Sequence, residues 1–185
     1  NPPVNPEANN AELVMQSLVT SVGWIEWALF IDDKFIEPYV LKSWIYQFVD
    51  YARSTGDEHL ADAADRFFPG HLWEKNIPIL EKALTANDES KSPENEGNIH
   101  LNMGNSYYLL LNYPRALKHY QLAEKYKKRF GSEIEQALFY FHTGYCYWQN
   151  SEIGKAREAI SRAYEIYRSL GAGRESGYAN QYLVL

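Results

Sequence analysis

With 185 residues, 45% of them apolar, the chain has enough material for a hydrophobic core, and 15% of it is aromatic. Its formal net charge of −6 argues against nucleic acid or an anionic membrane as partner, because both select clustered Lys and Arg. The single cysteine, Cys146, excludes an intrachain disulfide framework and reads as a buried, inert thiol.

Residues 1–10 hold three prolines and read as an extended, poorly ordered lead-in. From Ala11 the pattern turns helical, with Leu13, Leu18, Val22, Ile25 and Leu29 as an apolar stripe and Asn9 or Asn10 as its cap. No uninterrupted run reaches the roughly 18 apolar residues that span a bilayer, and no membrane partner is expected. The compartment is left open, with the cytoplasm favoured. Asp32-Asp33-Lys34 breaks the stripe. Pro38 suits a first helical position, and Tyr39 to Arg53 reads as a second helix with Trp44, Ile45 and Phe48 inward.

A short helix from Asp57 to Phe68 is expected to stop at Pro69-Gly70, followed by another from Leu72 to Ala86 that contains Pro78. Asn87 to Gly97 is polar and reads as a loop feeding the next helix. Four long helices follow, at about 94–111, 114–130, 133–149 and 152–170, and a ninth begins at Gly173. The Lys125–Arg129 basic run reads as a solvated helix end. No segment alternates with period two over a useful length. The expected fold class is all-α.

One regularity organises the later helices. Ala83, Ala123 and Ala163 are 40 residues apart, as are Leu80, Tyr120 and Ile160. Ala64, Gly104 and Gly144 keep the same step, and so do Phe67, Tyr107 and Tyr147. Such self-similarity signals stacked supersecondary units, none able to bury its apolar face alone.

One unit supplies His100, Met103, Gly104, Tyr107, Ala116, Tyr120 and Ala123, and the next supplies Tyr140, Thr143, Gly144, Tyr147, Ala156, Ile160 and Ala163. These offsets resemble the tetratricopeptide repeat (TPR), with a small residue and an aromatic in the first helix, then alanine, a large residue and alanine in the second. An upstream unit keeps Leu60, Ala64, Phe67, Leu80 and Ala83 but has Asn76 where alanine is expected, and Val184 departs from the small-residue position of the last. The period exceeds the usual length of about 34 and is similar to that of long-helix TPR variants.

The resemblance implies an α-solenoid of antiparallel hairpins over 57–185, divided into a degenerate unit 57–90, units 91–130 and 131–170, and a partial unit 171–185. Residues 11–56 would be an N-terminal helical cap; 11–53 resemble no family. The chain begins without Met and stops inside a predicted helix, so it reads as a piece of something longer.

In TPR proteins the first helix of each unit lines a concave groove. By position, Asn98, Leu101, Asn105 and Tyr108 should line it from one unit, and Leu138, Phe141, Tyr145 and Trp148 from the next. Asn105 falls where family members hold a ligand's backbone. Leu101, Phe141 and Gln181 stand where carboxylate-clamping lysines would be, which disfavours acidic C-terminal tails. The implied function is protein–protein interaction, a scaffold or adaptor binding a peptide or helix. The alternative is a peptide-sensing regulatory domain of a larger enzyme or transcription regulator.

The five histidines lack metal-ligand spacing, and Asp32-Asp33 and Asp62 with Asp65 read as exposed acids. No nucleophile motif or phosphate loop is present, so no catalysis, cofactor or metal is expected. The N-terminal helices and the C-terminal end are the two candidate surfaces for a homodimer.

Overall fold

The computed structural model describes residues 6–32, 34, 36–54, 56–70, 72–90, 92–126 and 132–184. Every element among them is a helix: α1 Pro6–Ile31, α2 Ile36–Ser54, α3 Glu58–Phe67, α4 Trp73–Ser90, α5 Pro93–Leu109, α6 Tyr113–Glu124, α7 Glu133–Gln149, α8 Ile153–Ser169 and α9 Gly173–Gln181. The all-α expectation holds. The chain divides into two compact units, residues 1–91 and 92–185.

In the first unit, α1 begins at Pro6, where a missing N–H costs nothing. Asn9 and Asn10 therefore lie inside the helix rather than capping it, and only residues 1–5 of the expected lead-in fall outside the described residues. Ala11, Met15 and Ile25 are buried, with Leu18, Val22 and Leu29 partly so. Steps of four and three residues keep these six on one side of the helix. Leu13, expected inward, is exposed. The helix is also long and apolar enough, by length and composition alone, to cross a membrane; its best 18-residue window has mean hydropathy 1.3 and is 11% buried. That departs from the reading of uninterrupted runs.

The α1 stripe meets Ile45, Val49 and Ala52 of α2 and Ala63 and Ala64 of α3. Phe68 and Leu72 are buried in the same cluster, with Tyr46 and Phe67 packed against it. Ile45 is buried as expected, but Trp44 and Phe48 are exposed.

A buried charge network fixes the next turn. Arg53 donates to the Asp50 carboxylate, to the Phe68 carbonyl and, at 2.7 Å, to Asp65. The second Asp50 oxygen accepts the Leu72 N–H at 3.0 Å. Asp50 is buried, so its own bonds are made in a low-dielectric setting, whereas the Arg53–Asp65 pair is at the surface. They tie both ends of the α3–α4 connection to α2. As a result α3 packs on α1 and α2, while α4 packs on α2. Residues 57–90 do not close into a hairpin of their own as α5 and α6 do, although Ala64, Leu80 and Ala83 are fully buried as the 40-residue register requires.

In the second unit the helices begin at Pro93, Tyr113, Glu133, Ile153 and Gly173, a step of 20 residues each time. Three of the preceding residues cap with their side chains. Ser92 accepts the Asn95 N–H at 3.3 Å and Asn112 that of Arg115 at 3.3 Å. Ser132 accepts the Glu135 N–H at 3.4 Å while the Glu135 carboxylate takes the Ser132 N–H at 2.7 Å, a complete capping box. With Ser92 capping and Pro93 in the first turn, the expected 87–97 loop is largely helical: α4 runs to Ser90 and α5 starts at Pro93. Helix α6 ends at Glu124; its expected continuation through 127–130, with most of the basic run, lies outside the described residues.

The C-termini of α5, α7 and α8 share one geometry. Leu111, Ser151 and Gly171 adopt φ of 57°, 64° and 69°. Around the first, the Leu111 N–H donates to the Tyr108 carbonyl and the Asn112 N–H to that of Tyr107, each at 2.9 Å, and the other two ends repeat the pattern. These are Schellman motifs, whose left-handed residue is favoured as glycine. Leu111 is 69% exposed, so Leu111→Gly removes strain without losing packing. It should stabilise the second unit by about 0.5–1 kcal/mol in urea unfolding.

Helices α5 and α6 pack as a pair, as do α7 and α8, with α6 on α7 and α8 on α9. The closest approaches are made at glycine. A Cβ on Gly104 would sit 2.5 Å from the Tyr120 ring, and one on Gly144 would sit 2.5 Å from Ile160 Cγ1. In both pairs the covering residue stands 16 positions after the glycine. The two glycines occupy like environments, which is what a common register demands.

Candidate functional site

The residues proposed for the groove lie on α5 and α7, and four of them come together in a row of rings. Tyr108 stands edge-on to Tyr145, with centroids 5.7 Å apart, and stacks on His142 at 4.6 Å. Tyr145 meets Trp148 at 5.8 Å. Phe141 lies further along, buried against Tyr178 at 5.4 Å and Tyr182 at 5.7 Å of the last helical segment. Tyr182 closes the row, touching Tyr145 at 5.7 Å and Trp148 at 5.9 Å. Tyr113, at the start of α6, edges Tyr108 at 6.1 Å and Tyr145 at 5.8 Å. Tyr108, Tyr113, Tyr145, Trp148 and Tyr182 are each partly exposed, so the row has an open side.

The remaining expected residues do other things. The Asn105 side-chain oxygen accepts the Tyr120 hydroxyl at 2.8 Å, which supports the one polar atom of a fully buried ring. That oxygen serves the core. The Asn98 carbonyl accepts from Asn102 Nδ2 at 2.8 Å. Asn98 and Leu101 are half-buried and Leu138 is exposed. Sequence reasoning missed Tyr113, His142, Tyr178 and Tyr182. The 40-residue step was the available signal, since Tyr178 and Tyr182 stand one period after Leu138 and His142.

The electrostatics of this face are those of neutral rings. Burial, helped by Tyr145, Cys146, Tyr178 and Tyr113, pushes the Tyr108 hydroxyl well above its ordinary value. The hydrogen bond with Tyr178, then burial, raises Tyr182 to about 12. Burial raises the Cys146 thiol to about 12, so it holds no thiolate at neutral pH. Gln149 Nε2 donates to the Tyr145 hydroxyl at 2.8 Å. No cluster of three or more metal-ligating side chains occurs among the described residues. Clefts elsewhere include one of about 270 Å³ beside Tyr120, Thr143, Lys155 and Arg162, one of about 590 Å³ beside Glu26, Tyr39, Lys42 and Pro78, and one of about 600 Å³ beside Asn10, Val14, Asp57 and His59.

Histidines couple this unit to pH. His142 is held down to about 4 by burial, and His119 to about 4 by burial and then by His100 and Lys118. His100 is lowered chiefly by burial, and its Nδ1 lies 3.2 Å from that of His119. The unfolded chain, with histidine near 6.5, takes up these protons first, so stability is full above about pH 6.5 and falls as pH drops toward 4. Each histidine contributes a slope of at most about 1.4 kcal/mol per pH unit in that window. The urea midpoint of the second unit should fall between pH 7 and pH 5, and His119→Gln should flatten the fall.

No known family model matches this chain, and no curated protein matches it.

Proposed function

We propose that residues 92–185 are stacked TPR-like hairpins forming a protein-interaction module, a scaffold or adaptor that binds an apolar peptide or an amphipathic helix along the aromatic row. The observation that carries this reading is the continuity of rings from Tyr108 of α5 through Tyr145 and Trp148 of α7 to Tyr182 just after α9, alternate helices that start 40 residues apart. Rings of this kind supply contact area at low conformational cost and are enriched among residues that dominate binding energies. No Lys, Arg, Asp or Glu belongs to the row, which suits an apolar ligand face. The spacing of Gly104 and Gly144 and the 20-residue rhythm of helix starts support the hairpin stack.

The test is selection of displayed peptides against the full chain, followed by calorimetric titration of the best binder. Tyr145→Ala and Trp148→Ala should each weaken it by about tenfold or more, with helicity retained. Unchanged affinity in both folded variants would contradict the assignment.

A further inference from the structure

Helix α1 carries two apolar stripes, and only one faces the unit to which it belongs. The second runs through Leu13, Ser17, Thr20, Trp24, Trp27 and Ile31, at steps of four, three, four, three and four residues, and all six are exposed. This is the spacing of a helix–helix seam. It is also free of charge. The acids of α1 are Glu7, Glu12 and Glu26, and of these Glu12 pairs with Arg66 and Glu26 with Lys42 at 2.7 Å, on the side facing α3 and α2. The Thr20 hydroxyl donates to the Gln16 carbonyl at 3.0 Å, so burying it strands no donor.

We propose that this face packs against the same face of a second copy of the chain, with the two α1 helices antiparallel about a two-fold axis near position 22. The order of residues along the seam selects that arrangement. Small side chains occupy its first half and large ones its second. Antiparallel pairing sets Ser17 against Trp27 and Thr20 against Trp24, with Leu13 against Ile31 at the ends. Parallel pairing would set each tryptophan on its own copy and leave gaps at Ser17 and Thr20. An isologous contact of this kind needs one self-complementary patch, which this is.

The α1 face alone supplies about three quarters of the area that a stable dimer takes from each partner. Trp24, Trp27 and Phe30, which flanks the seam, are 67%, 59% and 88% exposed. At about 150–250 Å² per aromatic side chain, they leave on the order of 400 Å² open, and Leu13 and Ile31 raise this to roughly 600 Å² per copy. A stable interface takes about 800 Å² from each partner, and the largest apolar patch of an ordinary monomer is about 300–600 Å². The α2 stripe of Leu41, Trp44, Phe48 and Tyr51, also exposed, adds apolar surface on the neighbouring helix. An anionic bilayer is the poorer occupant, because α1 has no Lys or Arg to meet its headgroups.

Sedimentation velocity of the full chain from micromolar to sub-millimolar concentration tests this directly. The wild type should populate a dimer, and Trp24→Lys and Trp27→Lys, both at exposed positions, should each raise its dissociation constant by about tenfold or more with helicity unchanged. A second experiment does not depend on those variants folding. When a Thr20→Cys chain is mixed with a Trp24→Cys chain under mild oxidation, mixed disulfides should outnumber like-with-like ones; buried Cys146 does not compete. A monomer at every concentration, or a dimer indifferent to both lysines, would overturn the proposal. So would a preference for Trp24→Cys pairing with itself, or a monomer that floats with phosphatidylcholine or phosphatidylserine vesicles.

Discussion

Tyr120→Ala should destabilise the second unit by about 3–5 kcal/mol, the usual cost of truncating a buried aromatic. Its ring is fully buried, lies over Gly104 and meets Phe139 edge-on at 5.7 Å. No flexible chain end lines the space that would be left, because the floor is helix backbone at Gly104. The substitution also removes the donor to the Asn105 side-chain oxygen. Tyr120→Phe isolates that last contribution and should cost about 1 kcal/mol. Urea unfolding at neutral pH, with hydrogen exchange over residues 93–182 to localise the change, checks both values.

Asp50→Ala should cost the first unit a similar amount, about 3–5 kcal/mol, for a different reason. Asp50 is buried and joins Arg53 to the Leu72 N–H. Removing it leaves a mostly buried guanidinium with one fewer counter-charge and a buried backbone donor without its acceptor. Asp50→Asn keeps an acceptor for Leu72 while losing the charge, so it should fall between wild type and alanine. Hydrogen exchange should show α3 and the start of α4 opening before α2, since the network ties their connection down. Equal protection in wild type and Asp50→Ala would contradict that role.

The 40-residue step was legible because it is imposed by close helix contacts. Tyr120 can lie where it does only if residue 104 lacks a Cβ, and the same holds for Ile160 and residue 144. The 20-residue rhythm was harder to see, because Ser92, Asn112 and Ser132 cap with side chains while Glu152 and Ala172 do not. Helix start is therefore conserved in position and not in chemistry.

Pairing in the first unit could not be read from burial positions. Leu80 and Ala83 are buried in register, yet α4 packs on α2, and the Asp50–Arg53 network that accompanies this joins residues far apart in sequence. Trp44 and Phe48 read as core because aromatic residues usually are, but the inward face of α2 is taken by Ile45, Val49 and Ala52, and both rings are exposed. Tyr108, Tyr145 and Trp148, named by position, do lie together as one row of rings. The bond of the Asn105 side-chain oxygen to a buried hydroxyl one helix away had no signal in position.

The central claim is that the two hairpins of the second unit are built on one plan, with glycine under a large side chain in each. A double-mutant cycle at each pair measures this. Gly104→Ala should destabilise the wild type but cost little or even stabilise in a Tyr120→Ala background, where alanine's better helix propensity is freed from the clash. Gly144→Ala with Ile160→Ala should couple with the same sign and less strongly, because the Ala156 carbonyl oxygen and the Ile160 nitrogen also stand 3.1 Å from the added methyl. Additive effects at either pair, or couplings of opposite sign, would contradict the common plan and the ligand face that depends on it.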